Sequence, residues 1–220
     1  MEESILKLSE VFEELPQGLY NVISPFPIID SLICATYIPQ IKRENSLLCI
    51  VNLLDVQPEV YQNQLLNSQN FINDLFREIS DNESDDVYYC IYIIYKLVEG
   101  FQSNKEYLIS NLNVFSLGNF SMEDINNAIL CLNLMKEIVK LIKTEVPIEV
   151  KDDILKMFIQ ISNDIFIEYK SLNPSIVNEV LDFCNEMISN HFLVALPIKP
   201  LIDKIFNEID PSDTPLIFTA

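Results

Sequence analysis

The chain contains one histidine, His191, and that alone narrows its chemistry. A charge-relay site needs a base oriented by an acid beside a nucleophile, and no such neighbours stand near His191. With a single imidazole there is also no multi-histidine metal site. His191 follows Ser189 and Asn190 at what the pattern reads as a helix end, where a cation or a capping imidazole is favoured, so its expected role is structural. The five cysteines are Cys34, Cys49, Cys90, Cys131 and Cys184. None forms a CxxC or another metal-ligand spacing, and each lies in an apolar helical stretch. Such thiols are expected to be reduced, buried and slow to react. The run Asp81-Asn82-Glu83-Ser84-Asp85-Asp86 has the composition of a calcium loop. Its sixth position lacks the required glycine, and Tyr92 stands where the bidentate glutamate belongs, so it reads as a capping turn. There is no glycine-rich phosphate loop, GxSxG elbow or HExxH. Carboxylates such as Asp152, Asp182 and Glu186 fall on solvated helix faces. No catalytic residue, metal ligand or cofactor is assigned, and the expectation is a chain that is not an enzyme.

The bulk charge points the same way. A formal net charge of −19 repels nucleic-acid backbones and anionic membrane leaflets, so neither is expected as a partner. A basic segment of a protein partner suits such a surface. The competing explanation is that acidic residues keep a chain with 49 % hydrophobic residues in solution. The longest apolar run, near Tyr88 to Tyr95, stops at Lys96, well short of the ~20 residues a membrane span needs. Met1-Glu2-Glu3-Ser4 carries no basic segment and no long apolar one, which argues against a secretory leader. With an odd cysteine count, these features give an expected cytoplasmic location, the nucleus being second.

The elements that would position any site are helices. Only Gly18, Gly100 and Gly118 are glycines, too few for a fold built on tight β-turns. From about residue 44 onward apolar residues recur at helical spacing. Over 175–189, Val177, Val180, Leu181, Cys184, Met187 and Ile188 share one face, with Pro174 at the start, where its missing N–H costs nothing. Over 121–143 and 86–99 the apolar residues cover most of the circumference, the mark of a helix sandwiched between others. Ser121 is the expected cap of the first of these, and Asp85 or Asp86 of the second. Further helices are expected at 2–15, 27–38, 44–56, 58–67, 69–80, 104–116, 149–169 and 198–209. The fold class is therefore all-α, organised as an N-terminal helical cap (1–43), helical repeats (44–209) and an irregular tail (210–220).

Two segments share an apolar frame: Phe71, Ile72, Leu75, Phe76 and Ile79 match Leu201, Ile202, Ile205, Phe206 and Ile209. Their offset of 130 residues divides into three units of about 43, a length typical of armadillo and HEAT repeats. From Leu75 to Leu112 the order is a helix ending FREIS, the turn DNESDD, the helix VYYCIYIIYKLVEG, then SNKEYLISNL. This stretch resembles an armadillo unit, in which a long buried helix is followed by a loop and another helix packed beside it. The resemblance implies a right-handed α-solenoid, the alternative being an irregular multi-helix bundle. It also implies a scaffold or adaptor that holds a peptide or partner helix on its surface, the alternative being a helical regulatory subunit of a larger assembly. The tryptophan–asparagine ladder of nuclear-import carriers is missing, so the likeness does not extend to that role. If 69–80, 104–116 and 198–209 are third helices of repeats, their polar faces line the surface. Asn73, Arg77, Asn111, Lys204 and Asn207 are then the expected contact residues.

Overall fold

A computed structural model describes residues 7, 28–81, 86–99, 111, 114–145, 148–190 and 195–208, and all its elements among these residues are helices. The chain forms two compact units, Met1–Leu112 and Asn113–Ala220.

The first unit contains α1 (Ile28–Thr36), α2 (Arg43–Val56), α3 (Pro58–Leu66), α4 (Gln69–Asp81) and α5 (Val87–Val98). The α2 helix buries Leu47, Cys49, Ile50, Val51, Leu53 and Leu54, and even Asn45, Ser46 and Asn52. Apolar residues on every side make it the central helix, and it packs against α1, α3 and α5. Gln57 separates α2 from α3 with φ −140° and ψ 70°, outside the helical region that a following proline disfavours. Pro58 then opens α3, where no amide donor is needed. The amphipathic α4 buries Phe71, Ile72, Leu75, Phe76 and Ile79 and leaves Asn73 and Arg77 exposed. α5 packs on α2, α3 and α4. Glu44 meets Tyr89 while Asp55 meets Tyr92 and Lys96, so α2 and α5 run in the same direction. Their first residues, Arg43 and Val87, lie 44 positions apart.

The second unit contains α6 (Val114–Ser121), α7 (Ile125–Glu145), α8 (Ile148–Tyr169), α9 (Ser175–Asn190) and α10 (Ala195–Glu208). The main packing runs from each helix to the next and the next but one: α6 to α7 and α8, α7 to α8 and α9, α8 to α9 and α10, α9 to α10. α7 buries Ala128, Leu130, Cys131, Leu132, Leu134, Met135, Ile138 and Val139, the wide apolar surface its sequence requires. The Phe158 and Phe183 rings join α8 to α9 edge to face, with centroids 6.3 Å apart. Lys204 reaches Asn163 and Lys170 reaches Glu208, so α8 and α10 also run in parallel.

Several boundaries differ from those the sequence suggests. α7 starts at Ile125, not at 121, because Asp124 is the cap: its Oδ1 accepts from the backbone N–H groups of Asn126 (2.7 Å) and Asn127 (2.9 Å). Ser121 belongs to α6, its hydroxyl donating back to the Gly118 carbonyl at 2.8 Å. α6 runs through Gly118, where an added Cβ would meet the Ile161 side chain at an ordinary contact distance of 3.4 Å, so α6 lies against α8 at this point. Asp86 makes no side-chain cap bond to α5 and faces Arg43 at 3.8 Å instead. α10 begins at Ala195, with Pro200 inside it and not near its start. Cys49, Cys90, Cys131 and Cys184 are buried as expected, but Cys34 is exposed on α1. The expected helix 2–15 beyond Lys7, most of 104–116, the tail 210–220 and His191 lie outside the described residues.

Candidate functional site

The residues richest in recognition chemistry lie on α5. Val87, Cys90, Ile91, Ile94, Leu97 and Val98 are buried, together with Ile93. Tyr88, Tyr92 and Tyr95 fall at i, i+4 and i+7 and form a partly exposed stripe. The Tyr88 and Tyr92 ring centroids are 6.2 Å apart, and those of Tyr92 and Tyr95 6.1 Å apart, the latter pair edge to face. A tyrosine can lie at a helix surface with its ring against apolar neighbours and its hydroxyl turned outward.

Carboxylates meet these hydroxyls. Tyr92 Oη lies 2.9 Å and 3.1 Å from the two Asp55 oxygens, and Tyr95 Oη donates to Glu99 Oε1 at 2.7 Å. Tyr89 approaches Glu44 more loosely, at 3.4 Å. Partial burial, followed by the Asp55 hydrogen bond and charge, pushes the Tyr92 phenol up to about 12. Burial and Glu44 raise Tyr89 as well.

Lys96 completes the group. Its ammonium lies 3.0 Å from Asp55 and 3.1 Å from Glu99, and 5.5 Å from the centroids of both the Tyr92 and Tyr95 rings. Desolvation is the largest influence and would lower its pKa, but hydrogen bonds to Asp55 and Glu99 outweigh it, and Lys96 is held above the ordinary lysine value. A cation within about 6 Å of aromatic faces is attracted by their quadrupoles. Two rings and two carboxylates thus form a cation-binding corner.

The supports of this corner are internal. Gln62 on α3 is buried, and its amide donates to the carbonyls of Lys96 and, at 3.2 Å, Glu99, at the C-terminal end of α5. At the other end Arg43 pairs with Glu78 at 3.3 Å and lies 3.8 Å from Asp86, tying α2 to α4 and to the start of α5.

The contact residues expected from sequence fall elsewhere. Asn73 and Arg77 lie one turn apart on the exposed side of α4. Arg77 pairs with Asp74 at 2.9 Å, and Asp74 also accepts from Tyr37. Asn111 is helical and exposed. In the second unit Lys204 donates to Asn163 at 3.2 Å, and Asn207 is exposed on the same helix, α10. The tyrosine stripe is absent from that expectation because apolar residues cover most of the circumference of 86–99, the pattern of a helix sandwiched between others. The signal was the i, i+4, i+7 spacing of tyrosines, the aromatic with a polar tip.

Among the described residues no group of three or more His, Cys, Asp or Glu side chains is placed to hold a metal ion, and no helix is long and apolar enough to cross a membrane. No protein-family model, curated protein or solved structure matches this chain.

Proposed function

We propose that this chain is a protein-interaction scaffold of the armadillo/HEAT kind, a short right-handed α-solenoid without catalytic activity that binds a partner through a basic segment in the cytoplasm. The observation that carries the binding role is the α5 face, where Tyr92 and Tyr95 meet Asp55 and Glu99 and the Tyr88 ring continues the stripe beside Tyr92. Aromatic rings offer contact area at low conformational cost, and tyrosine is enriched at protein interfaces. The repeat architecture is supported by the parallel return of α5 onto α2 after 44 residues, and of α10 beside α8 after 47. Both intervals are close to an armadillo or HEAT period, and a solenoid is built from such neighbour-to-neighbour packing. The test is capture from native lysate by the wild-type chain and by a Tyr88→Ala/Tyr92→Ala variant shown to be folded by circular dichroism. A partner retained by the first and lost by the second supports the reading. Identical captures would remove α5 as the binding face.

A second reading, a regulatory subunit held by bulk contact, draws on the second unit. Leu172, Phe206 and Ile167 there are exposed by 73 %, 57 % and 46 %, apolar surface that suits a subunit interface.

A further inference from the structure

We infer that Lys96 is a tethered occupant of a site for an incoming cationic side chain, an arginine or lysine of a basic partner segment, which docks on the Tyr92 and Tyr95 rings between Asp55 and Glu99 by displacing it. This rests on the scaffold reading above and names what its α5 face recognises.

The geometry around Lys96 is that of a ligand in its site. One ammonium lies equally far from two ring centroids, 5.5 Å from each, and contacts two carboxylates at 3.0 Å and 3.1 Å. Both carboxylates have other donors: Asp55 accepts from Tyr92 and Glu99 from Tyr95. If Lys96 swung away, its acids would keep those phenolic partners and still attract a cation. Lysine is suited to such departure, being a compact charge on a flexible four-carbon stem. The surroundings favour an external replacement. Over residues 1–112, the first unit, the sequence carries 17 acidic residues against six basic ones, Lys7, Lys42, Arg43, Arg77, Lys96 and Lys105. A basic segment is the occupant that this charge excess complements.

Arginine is the better competitor. Its planar guanidinium stacks on aromatic faces and pairs bidentately with carboxylates, whereas the lysine ammonium is more strongly hydrated. A preference between peptides of equal charge therefore separates this site from general attraction to an acidic surface.

The experiment titrates fluorescein-labelled, glycine-spaced tri-arginine and tri-lysine peptides into the full chain by fluorescence anisotropy. The tri-arginine peptide is expected to bind roughly three- to tenfold more tightly than tri-lysine, the range of one or two cation–aromatic contacts. Lys96→Gln should tighten tri-arginine binding several-fold. Lys42→Gln makes the same charge change just before α2, about 20 Å from Asp55 along that helix, and should change affinity less than twofold. Tyr92→Leu should weaken binding roughly fivefold, while Tyr92→Phe, which keeps the ring but loses the hydroxyl bonded to Asp55, should weaken it less, by about twofold. Equal effects of Lys96→Gln and Lys42→Gln, or equal affinities of the Leu and Phe variants, would overturn the site and leave only long-range attraction. If neither peptide binds while the lysate capture still depends on Tyr88 and Tyr92, the cation site falls and the scaffold stands. Tight, variant-sensitive peptide binding with no such dependence would sink the scaffold instead.

Discussion

Gln62 offers the sharpest test of how the candidate face is held. It is 2 % exposed, and its single amide donates to two carbonyls at the C-terminal end of α5. Helix ends leave their last carbonyls without intrahelical partners, so a buried donor there replaces what water would otherwise supply. Gln62→Ala removes both bonds. A buried acceptor left without a partner costs about 1–3 kcal/mol, and a bond that water can replace about 1 kcal/mol. With one carbonyl in each situation the expected loss is about 3 kcal/mol. At a urea slope of roughly 1–3 kcal/mol/M, the unfolding midpoint should fall by about 1 M or more with the slope unchanged. Circular dichroism at 222 nm during urea titration reads this directly. A shift under about 0.3 M would mean the amide does not hold the end of α5. Gln62→Glu adds a sign. Facing carbonyl oxygens, the new carboxyl can donate only when protonated, so its folded pKa lies above the unfolded value of about 4.3. The native state then binds more protons, and stability must fall as pH rises past that value. A variant as stable at pH 7 as at pH 5 would refute the contact.

Thiol titration of the native chain should find one fast group, Cys34, and four more after denaturation, because the other cysteines are buried and burial pushes Cys90 and Cys184 up to about 12. Two or more fast native thiols would contradict the packing of α2, α5, α7 or α9. Burial and carboxylate partners raise Tyr37 and Tyr92 to about 12, and Lys96 is also raised. Each group then keeps its proton longer in the native state, so stability should be full below about pH 10 and decline as pH rises toward 12. Absorbance at 295 nm should show native tyrosines ionising later than those in urea, and coincident curves would count against the Tyr–carboxylate pairs. Phe183→Ala should cost about 3–5 kcal/mol in urea unfolding, since it empties a fully buried site and removes the ring contact with Phe158. A loss under about 1.5 kcal/mol would show that α8 and α9 close over the gap.

The helices were legible because periodicity needs only nearby residues. Val180, Cys184 and Met187 all face the core as their spacing requires. Breaks were harder. Ser121 and Asp124 are both good caps by type, and the choice fell to Asp124 because α6 continues through Gly118 to pack at Ile161. That is a tertiary preference no local pattern carries. Cys34 was misplaced for a related reason. An apolar stretch shows that a helix is buried on one side but does not fix where the buried arc ends. The candidate face depended on pairings 37 to 41 residues apart, Asp55 with Tyr92 and with Lys96. The tyrosine spacing was visible, but the acids that meet it come from another helix.

Those pairings also bear on how so acidic a chain can use its charge. With 33 acidic and 14 basic side chains, cations are too few to pair every carboxylate by salt bridges. Phenols supply further donors, Tyr37 to Asp74, Tyr92 to Asp55, Tyr95 to Glu99 and, more loosely, Tyr89 to Glu44, and of these acids Asp74, Asp55 and Glu99 also meet a cation. The difference matters for recognition. A carboxylate paired with lysine or arginine is neutralised, whereas one that accepts from a phenol is satisfied as a hydrogen-bond acceptor and keeps its full charge. Asp55 has both kinds of partner, Lys96 and the Tyr92 hydroxyl, so a cation that displaced Lys96 would meet an acid the phenol still holds, beside the face of the same ring. Position and attraction therefore come from one residue pair, and replacing Tyr92 by leucine should weaken both together.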